Sequence, residues 1–514
     1  RNRKPTGGEP QPPPPQAEAL PTPGTYNLGS GSKINYSKSN FIATAMLSHI
    51  LRLNYDYKGK YLFTVSNRWD GSSKLAKKWE SFFAAAAGWR LSEENFLKDE
   101  DWLSNLKLRV SFGYTGNNNI SAYSQWTLPS IKSWYGFGLG NDLALGYSPN
   151  GIANPNLTWE KTREINAGLD FGFFRGRISG TFDYYNKLSD GLLMDRVLPY
   201  EAGVYKSKVK DNVGSVRNTG IEVGLTTINV NKKNVTWSTS FTYSRNKNKI
   251  ESLYGEKKDD LANKWFIGEP IKVAYTYLYD GVVTAEDAKS DWAKRWGLVE
   301  GNGKVKDISG PDGKPDGYIS SLDRTITGSA FPDWIGSFSS NLKVYNFDFS
   351  FSLYANQGRY VQSPFLNDAY NVAGGRQTYK LNLDYYVPEN VSLPDLPADY
   401  AKAEFPLKPN TSGTLPMPNA NAGKYYNTGN DDFQNGYADA SFVKVKNISL
   451  GYTFPKKITD KLRMQNLRVY VNVLNPFVCT DFKGYDPEWA DAATNKSDGG
   501  PATVIWQFGL NVKF

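Results

Sequence analysis

The feature that most constrains this chain is a strand pattern at its carboxyl terminus. Within residues 502–514, every second side chain is apolar and the side chains between them are polar or glycine, except for Ile505. The apolar set is Val504, Trp506, Phe508, Leu510, Val512 and Phe514. Such a strand needs an apolar medium on one face and water on the other, and a transmembrane β-barrel provides both. Taken alone, the segment also fits the last strand of a water-soluble β-sandwich.

The same alternation recurs along the chain. It is clearest in the segments 51–57, 61–65, 106–114, 165–173, 178–184, 237–243, 334–344, 347–353, 448–454 and 467–473. Tight hairpin turns are predicted at Lys58-Gly59, at Phe174-Arg-Gly176 and at Tyr345-Asn346. These patterns predict an all-β protein with about fourteen antiparallel strands.

The connections between these strands are very unequal in length. Some are two or three residues long, whereas those near 116–161, 280–331 and 358–440 run for dozens of residues. Compact soluble domains rarely contain such long loops. Short turns on one rim and long extracellular loops on the other are typical of an outer-membrane barrel, and this asymmetry disfavours the sandwich.

Composition excludes several other classes of protein. The mean hydropathy is −0.53, and no apolar run approaches the roughly 18 residues of a membrane-spanning helix. The presence of only one cysteine and one histidine strongly disfavours Cys/His nucleophiles and histidine-built zinc sites. The net charge of +9 is dispersed and contains no basic run suited to nucleic acid. We interpret it as the charge of solvated loops and of a lumen, with a contribution from contact with anionic lipid at the membrane surface.

The composition changes near residue 43. Residues 1–42 are rich in Pro, Gly and Ser and are predicted to form a loop or linker, whereas residues 43–514 carry the strand pattern of a barrel. A protein that lies beyond the inner membrane is made with a signal peptide, which we expect upstream of Arg1.

Several ordered segments resemble a known family. They include LKLRVSFGYTGN at 106–117 and NPNLTWEKT at 154–162, together with the segments 51–62, 68–73, 87–94, 218–222 and 443–452. In this order they resemble the barrel of SusC/RagA-type TonB-dependent transporters, which are proteins of Bacteroidetes-type bacterial outer membranes. The resemblance runs from about residue 45 to Phe514.

The resemblance implies a barrel of about 22 strands, closed by an amino-terminal plug whose TonB box couples transport to TonB. It further implies a SusD-like surface lipoprotein as a hinged lid, and a dimer of transporter–lid pairs. No plug and no TonB box are recognisable in this sequence, so the chain is expected to form the carboxy-terminal part of the barrel. Its last strand is then expected to pair with an early strand from outside this sequence, because open edges do not persist in hydrocarbon.

One loop resembles a calcium-binding loop. In the segment 312–323, oxygen ligands are offered by Asp312, Asp316, the Tyr318 carbonyl, Ser320 and Asp323. Lys314 stands at a ligand position with the wrong charge. A structural calcium and a simple hydrogen-bonded Asp/Gly turn are both consistent with this pattern; no other cofactor is indicated.

Aromatic residues cluster in the predicted long loops. The candidates for ligand binding are Trp126, Trp134, Tyr135, Trp265, Tyr385 and Tyr386, and Trp292 and Trp296 belong to the same group of loop aromatics. They would stack on sugar rings or pack against the lid, while the alternative is that they form loop cores or an interfacial girdle.

We therefore predict an active importer of oligomeric nutrients, with oligosaccharides favoured and peptides close behind. An outer-membrane enzyme is the first alternative, but no carboxylate pair is placed across a cleft by the pattern, and we expect no enzyme activity. A soluble β-rich adhesin is the second. Phe514 resembles the terminal aromatic by which barrel-insertion machinery recognises its clients.

Overall fold

A computed structural model describes most of the barrel region of the chain. The described residues are 42–135, 144–150, 152–198, 201, 208–362, 384–389, 409–416, 437–484, 486–490 and 502–514, and the side chains of residues 129–150 lie outside this description. The predicted linker at 1–42 therefore falls almost entirely outside the described residues.

The described chain is built almost entirely of strands. They are β1 (Met46–Tyr57), β2 (Tyr61–Ser72), β3 (Trp79–Arg90), β4 (Leu103–Asn117), β5 (Leu128–Tyr135), β6 (Ala144–Asn150), β7 (Glu160–Phe173), β8 (Ile178–Asp190), β9 (Leu193–Val197), β10 (Lys208–Asn212), β11 (Ser215–Lys232), β12 (Val235–Ser252), β13 (Val273–Tyr277), β14 (Tyr279–Val282), β15 (Gly303–Val305), β16 (Arg324–Ser329), β17 (Trp334–Val344), β18 (Phe347–Gln357), β19 (Tyr360–Gln362), β20 (Tyr437–Asp439), β21 (Phe442–Thr453), β22 (Asn466–Thr480) and β23 (Ile505–Lys513).

Helical structure is limited to short segments. Two α-helical turns are Asp291–Trp296 and Lys456–Thr459, and 3-10 turns are Leu91–Glu93, Asp287–Lys289, Ser321–Asp323 and Pro487–Trp489. Among the described helices, not one has the length and apolar character needed to cross a membrane.

Thirteen of the strands form one antiparallel sheet in the order β1-β2-β3-β4-β7-β8-β11-β12-β17-β18-β21-β22-β23. Each strand is bonded to its neighbour in sequence within this set, as in an up-and-down barrel wall. The remaining strands form five two-stranded sheets, β5-β6, β9-β10, β13-β16, β14-β15 and β19-β20. The predicted fold class is confirmed, with 13 strands in the described sheet against the expected fourteen or so.

Tight turns connect the hairpins where the sequence predicts them. Between β1 and β2, Lys58 and Gly59 have φ values of 57° and 66°, the left-handed geometry that suits a two-stranded hairpin. The Gly59 amide donates to Asp56 Oδ1 at 2.7 Å. Because glycine has no Cβ, it adopts this conformation without strain.

One face of the sheet is apolar and uncovered. Phe508 is 79% exposed and Leu53 is 69% exposed. The pairing of β22 with β23 places Val471 beside Phe508 and Val469 beside Leu510, so the apolar side chains form continuous rows. Other exposed members are Leu51, Val65, Val110, Ile165, Phe182, Phe241, Phe349 and Leu450. An apolar surface of this extent requires an apolar medium.

The opposite face is polar, and its side chains bond to one another across strands. Ser352 Oγ donates to Asn447 Oδ1 at 3.3 Å, Asn447 Nδ2 donates to Asn472 Oδ1 at 2.9 Å, and Asn472 Nδ2 donates to Gln507 Oε1 at 2.9 Å. This ladder spans β18, β21, β22 and β23. The alternation predicted for the terminal strand thus separates an apolar face from a polar one.

The two rims of the sheet differ as predicted. One rim, which we call the short-turn rim, carries the connections 58–60, 91–102, 174–177, 233–234, 345–346 and 454–465. The other, the long-loop rim, carries 73–78, 118–159, 191–214, 253–333, 358–441 and 481–504. The loop expected at 280–331 begins earlier, at residue 253, because β12 ends at Ser252 and the strands after it belong to small separate hairpins.

The buried apolar clusters lie at the long-loop rim. One unites Leu75, Phe82, Ile120, Leu157 and Trp159; a second unites Val213, Val216, Ile250, Leu253 and Trp265; a third contains Val361, Ala440, Phe482 and Ala490; a fourth contains Val283, Ala293 and Leu298. The loops are therefore packed onto strand ends and onto one another. At the lateral edges of the sheet, β1 and β23 do not pair with each other within the described residues.

Candidate functional site

A concavity on the long-loop rim lies inside the loop 253–333. It is a cavity of about 420 Å³, within the range of small-molecule sites. Its lining consists of Asp280, Asp287, Trp292, Trp296, Leu298, Lys304, Val305, Asp307, Gly317 and Ile319.

A short helix places the two tryptophans of this cavity. The Asp291–Trp296 helix is capped at its start by Ser290, whose side chain accepts from the Ala293 amide, and at its end by Gly297 with φ 61°. Ala293 is fully buried against Val283 and Leu298. Residues four apart lie on the same side of a helix, so Trp292 and Trp296 both reach the cavity wall.

Charged groups share the cavity with these rings. Lys304 Nζ lies 3.0 Å from Asp287 Oδ2, and Asp307 Oδ2 accepts from the Gly317 amide at 2.6 Å. Burial raises the pKa of the Asp287 carboxyl, but the Thr284 amide and the Lys304 ammonium outweigh it and hold that pKa below its ordinary value. Because Lys304 is paired with one carboxylate, the cavity keeps a net negative charge beside two aromatic walls.

Such a cavity suits a ligand that combines apolar faces with hydrogen-bond donors. Aromatic rings bind flat apolar surfaces, and charged carboxylates accept hydrogen bonds from hydroxyl or ammonium groups. Pyranose rings and basic peptide side chains both have these properties.

The predicted aromatic residues whose side chains the structure describes do not converge on one site. Trp126 is 56% exposed and stacks on Tyr123 with ring centroids 5.8 Å apart, so it offers a ring to solvent. Trp265 belongs to a buried loop core, which is a packing role. The side chains of Trp134 and Tyr135, on β5, lie outside the described part of the structure.

The last two predicted aromatics hold loops together. Tyr386 is 2% exposed, and its hydroxyl donates to Glu300 Oε1 at 2.8 Å. Burial, followed by this bond, raises the pKa of Tyr386 to about 12. Tyr385 precedes it and forms an isolated bridge with Leu415. The segment 384–389 is therefore attached to the loop that contains the cavity.

Trp292 and Trp296 line the cavity, whereas the sequence predicts them only as members of the group of loop aromatics. A signal for their placement is present in the sequence, because the two tryptophans are four residues apart and follow Ser290, a preferred residue at a helix start. The three aspartates and Lys304 had no such signal, because they come from segments that meet only through the small hairpins.

The predicted calcium loop is held by internal hydrogen bonds. Asp323 is fully buried, and its carboxylate accepts from the amides of Ile308, Ser309 and Ser320 at 2.9, 3.2 and 2.7 Å. Burial raises the pKa of Asp323, but these amides, Ser320 first, bring it below its ordinary value.

The other predicted ligands are arranged separately. Asp312 accepts from the Lys314 amide and Asp316 from the Tyr318 amide, each in its own turn, while Tyr318 lies under the Arg295 guanidinium. Across the described residues, no group of three or more His, Cys, Asp or Glu side chains is placed to hold a metal ion. A structural calcium stays a prediction.

Comparison with known proteins identifies the family. Residues 12–475 match the family model described as TonB dependent receptor-like, beta-barrel. Among curated relatives, TonB-dependent receptor P3 of Formosa agariphila is 32% identical over 95% of this chain and 47% of its own length. TonB-dependent receptor SusC of Bacteroides thetaiotaomicron is also 32% identical, over 91% of this chain and 44% of its own length.

A solved structure shows the same fold. The chain is similar to one described as the RagAB peptide transporter, with a TM-score of 0.71 and 24% identity over 95% of this chain and 50% of the other. The chain thus spans about half the length of the curated relatives that it matches. The resemblance drawn from the sequence is confirmed, and so is the expectation that the chain is not an enzyme, because the family is a class of transporters. The chain belongs to the TonB-dependent receptor-like β-barrel family, and its 13-stranded sheet is barrel wall of a bacterial outer-membrane protein.

Proposed function

We propose that this chain forms part of the barrel and outer rim of a TonB-dependent importer of oligomeric nutrients, with glycans favoured over peptides. The observation that carries the proposal is the cavity on the long-loop rim, whose lining combines Trp292 and Trp296 with acidic side chains. Its position is at the extracellular mouth of the barrel, where an incoming oligomer first meets the protein.

The chemistry of the cavity supports the preference for glycans. The apolar face of a sugar ring fits an indole ring, while sugar hydroxyls donate to carboxylates such as Asp280 and Asp307. The peptide alternative rests on a different observation: a solved relative is described as a peptide transporter, and the net negative cavity would accept a lysine or arginine side chain. The two readings therefore differ in whether binding requires a cationic ligand.

We further propose the partners that such an importer needs. A SusD-like lipoprotein lid would close over the long-loop rim, where exposed rings such as Trp126 and Tyr318 are available for contact. TonB would supply energy through a plug, and pairs of transporter and lid would form a dimer. The similarity to SusC and to the RagAB complex supports these assignments.

Binding by the full-length transporter, purified with its lid, tests the proposal. Calorimetry with a panel of neutral oligosaccharides and a panel of neutral and basic oligopeptides should show binding of a neutral oligosaccharide. Trp292→Ala and Trp296→Ala should each weaken that binding about tenfold, which corresponds to about 1.4 kcal/mol. Trp489→Ala is the matched control, because Trp489 is 55% exposed in another loop.

Three outcomes are informative. Binding only of basic peptides, lost in the same two variants, would replace glycans by peptides. Unchanged affinity in both variants would remove the cavity from the transport route. Failure of every oligomer to bind or to be taken up by the source bacterium would contradict the importer itself.

A further inference from the structure

The short-turn rim carries a cluster of basic side chains that the transport function does not use. We call it the basic arc, and it consists of Arg175, Arg177, Lys232, Lys233, Lys456, Lys457, Lys461 and Arg463. These residues lie in the β7–β8 turn, at the β11–β12 turn and in the connection between β21 and β22. Every one of them is exposed.

The charges of the basic arc are not neutralised by the protein. Within the described residues, no member of the arc forms an ion pair, and the one acidic residue of the same connections is Asp460. The contrast with Arg468 is informative, because that side chain, on the sheet just beyond the arc, is paired with Asp348. Eight exposed cations beside one carboxylate form a strongly positive surface.

Exposed apolar side chains are interleaved with these cations. Phe174 precedes Arg175 and is 53% exposed, while Ile458 and Leu462, 42% and 50% exposed, lie among the lysines of the last connection. Tyr345 and Phe347, at the intervening β17–β18 turn, are 67% and 54% exposed. These side chains continue the apolar face of the sheet as far as the short-turn rim. Alternating cations and apolar side chains at the edge of such a band match a lipid headgroup region, where long basic side chains extend toward phosphate.

The basic surface is concentrated on one side of the barrel wall. On the other side, the β1–β2 turn contributes Lys58 and Lys60, and Lys60 is paired with Glu94. The β3–β4 connection, on the same rim, contains Glu93, Glu94, Asp99, Glu100 and Asp101 and is predominantly acidic. A uniform requirement for solubility would not separate the two signs of charge in this way. The separation indicates a partner with negative charge on the β7-to-β22 side.

We propose that the basic arc binds the phosphate groups of anionic phospholipids in the periplasm-facing leaflet of the outer membrane. This side of the barrel then collects anionic lipid, while the acidic β3–β4 side does not. The inference depends on the membrane orientation, in which short turns face the periplasm, and not on the nature of the nutrient.

Native mass spectrometry of the full-length protein tests this directly. The probes are phosphatidylglycerol, which is anionic, and phosphatidylethanolamine, which is zwitterionic, each added to the detergent-purified protein. The unaltered protein should retain phosphatidylglycerol in preference, and the variant Lys232→Gln, Lys233→Gln, Lys456→Gln, Lys457→Gln should lose most of that preference. Raising the ionic strength should weaken the same adducts.

A matched variant separates position from total charge. Lys257→Gln, Lys258→Gln, Lys289→Gln, Lys314→Gln removes four exposed lysines from the long-loop rim and should keep the preference for phosphatidylglycerol. Heat-modifiable migration on gels confirms that both variants are folded. Equal retention of the two lipids by the unaltered protein, or equal loss in the two variants, would overturn the proposal. The proposal would also be overturned if the four-lysine variant of the basic arc retained lipid as the unaltered protein does but lost binding to an acidic periplasmic protein.

Discussion

Lys444 and Asp486 form a nearly fully buried ion pair, with Nζ 2.7 Å from Oδ2 and each side chain only 3% exposed. Lys444 is at the start of β21, and Asp486 belongs to the loop between β22 and β23. Glu488 accepts from Lys444 at 3.1 Å and also pairs with Lys446. A segment of the long-loop rim is thus held to the barrel wall by charge.

Removing one partner of this pair should destabilise the rim. Asp486→Leu leaves the Lys444 ammonium buried with only Glu488 beside it, and breaking a buried pair costs about 3–5 kcal/mol. We expect a lower unfolding temperature in detergent and faster proteolysis near residues 481–490. Lys483→Met, an exposed change in the same loop, should leave both measurements unchanged. If Asp486→Leu also leaves the unfolding temperature and the proteolysis rate unchanged, the role assigned to the pair is contradicted.

Acid should loosen two loops of the long-loop rim, the one that contains Glu488 and the one that contains Asp323. Burial raises the pKa of Glu488, but Lys446 and Lys444 bring it below its ordinary value of 4.5, and the pKa of Asp323 is likewise below 3.8. For a lowered pKa, the stabilisation is fully present above the ordinary value and is lost as the pH falls through the folded value.

Hydrogen exchange measures this effect. Amides of 308–323 and 486–490 should be protected at pH 7 and exchange faster, after correction for intrinsic rates, at about pH 3. Asp323→Asn should already lack part of that protection at pH 7. Equal corrected protection at both pH values would show that these carboxylates do not hold the loops.

Gly168 allows an ion pair to cross an intervening strand. Arg109 on β4 bonds Asp170 on β7 and Asp183 on β8, and a Cβ at Gly168 would lie 2.6 Å from Asp183 Oδ1 and 2.7 Å from Arg109 Cζ. Gly168→Ala should therefore displace the guanidinium and cost about 1–3 kcal/mol.

Urea unfolding of the protein in detergent measures that cost. Gly224→Ala is the matched control, because its nearest neighbour is the single atom Thr181 Oγ1 at 3.1 Å. If the two alanine variants unfold alike, the tight packing over Gly168 does not contribute to the stability of the wall.

Much of the wall could be predicted from the sequence, because alternate residues of a barrel strand face lipid and lumen and are therefore apolar and polar in turn. The terminal strand, the hairpin at Lys58-Gly59 and the inequality of the rims all follow from that rule. β3 was harder, since Ala84 to Ala87 favour a helix when taken alone. Pairing with β2 on one side and β4 on the other overrides that preference.

The candidate site could be predicted only in part. Trp126 is exposed and Trp265 is buried, yet the sequence does not distinguish them. Burial of a loop residue depends on contacts between segments that are distant in the sequence. The cavity joins Asp280, Trp296 and Lys304 through small hairpins whose strands have three to five residues. Such strands are too short for a period-two pattern to be visible. The calcium-like spacing of 312–323 does not reveal that Asp323 turns inward to cap its own 3-10 turn, and calcium binding by this loop stays a prediction.

The central claim is that one face of this sheet meets lipid while the other lines a polar lumen. Spin labels placed one at a time at Gln507, Phe508, Leu510 and Asn511 of the full-length protein in lipid vesicles test it most directly. Labels at Phe508 and Leu510 should be accessible to oxygen dissolved in the bilayer, and labels at Gln507 and Asn511 to a water-soluble nickel complex. Access of the nickel complex to all four positions, without a period of two, would contradict the account.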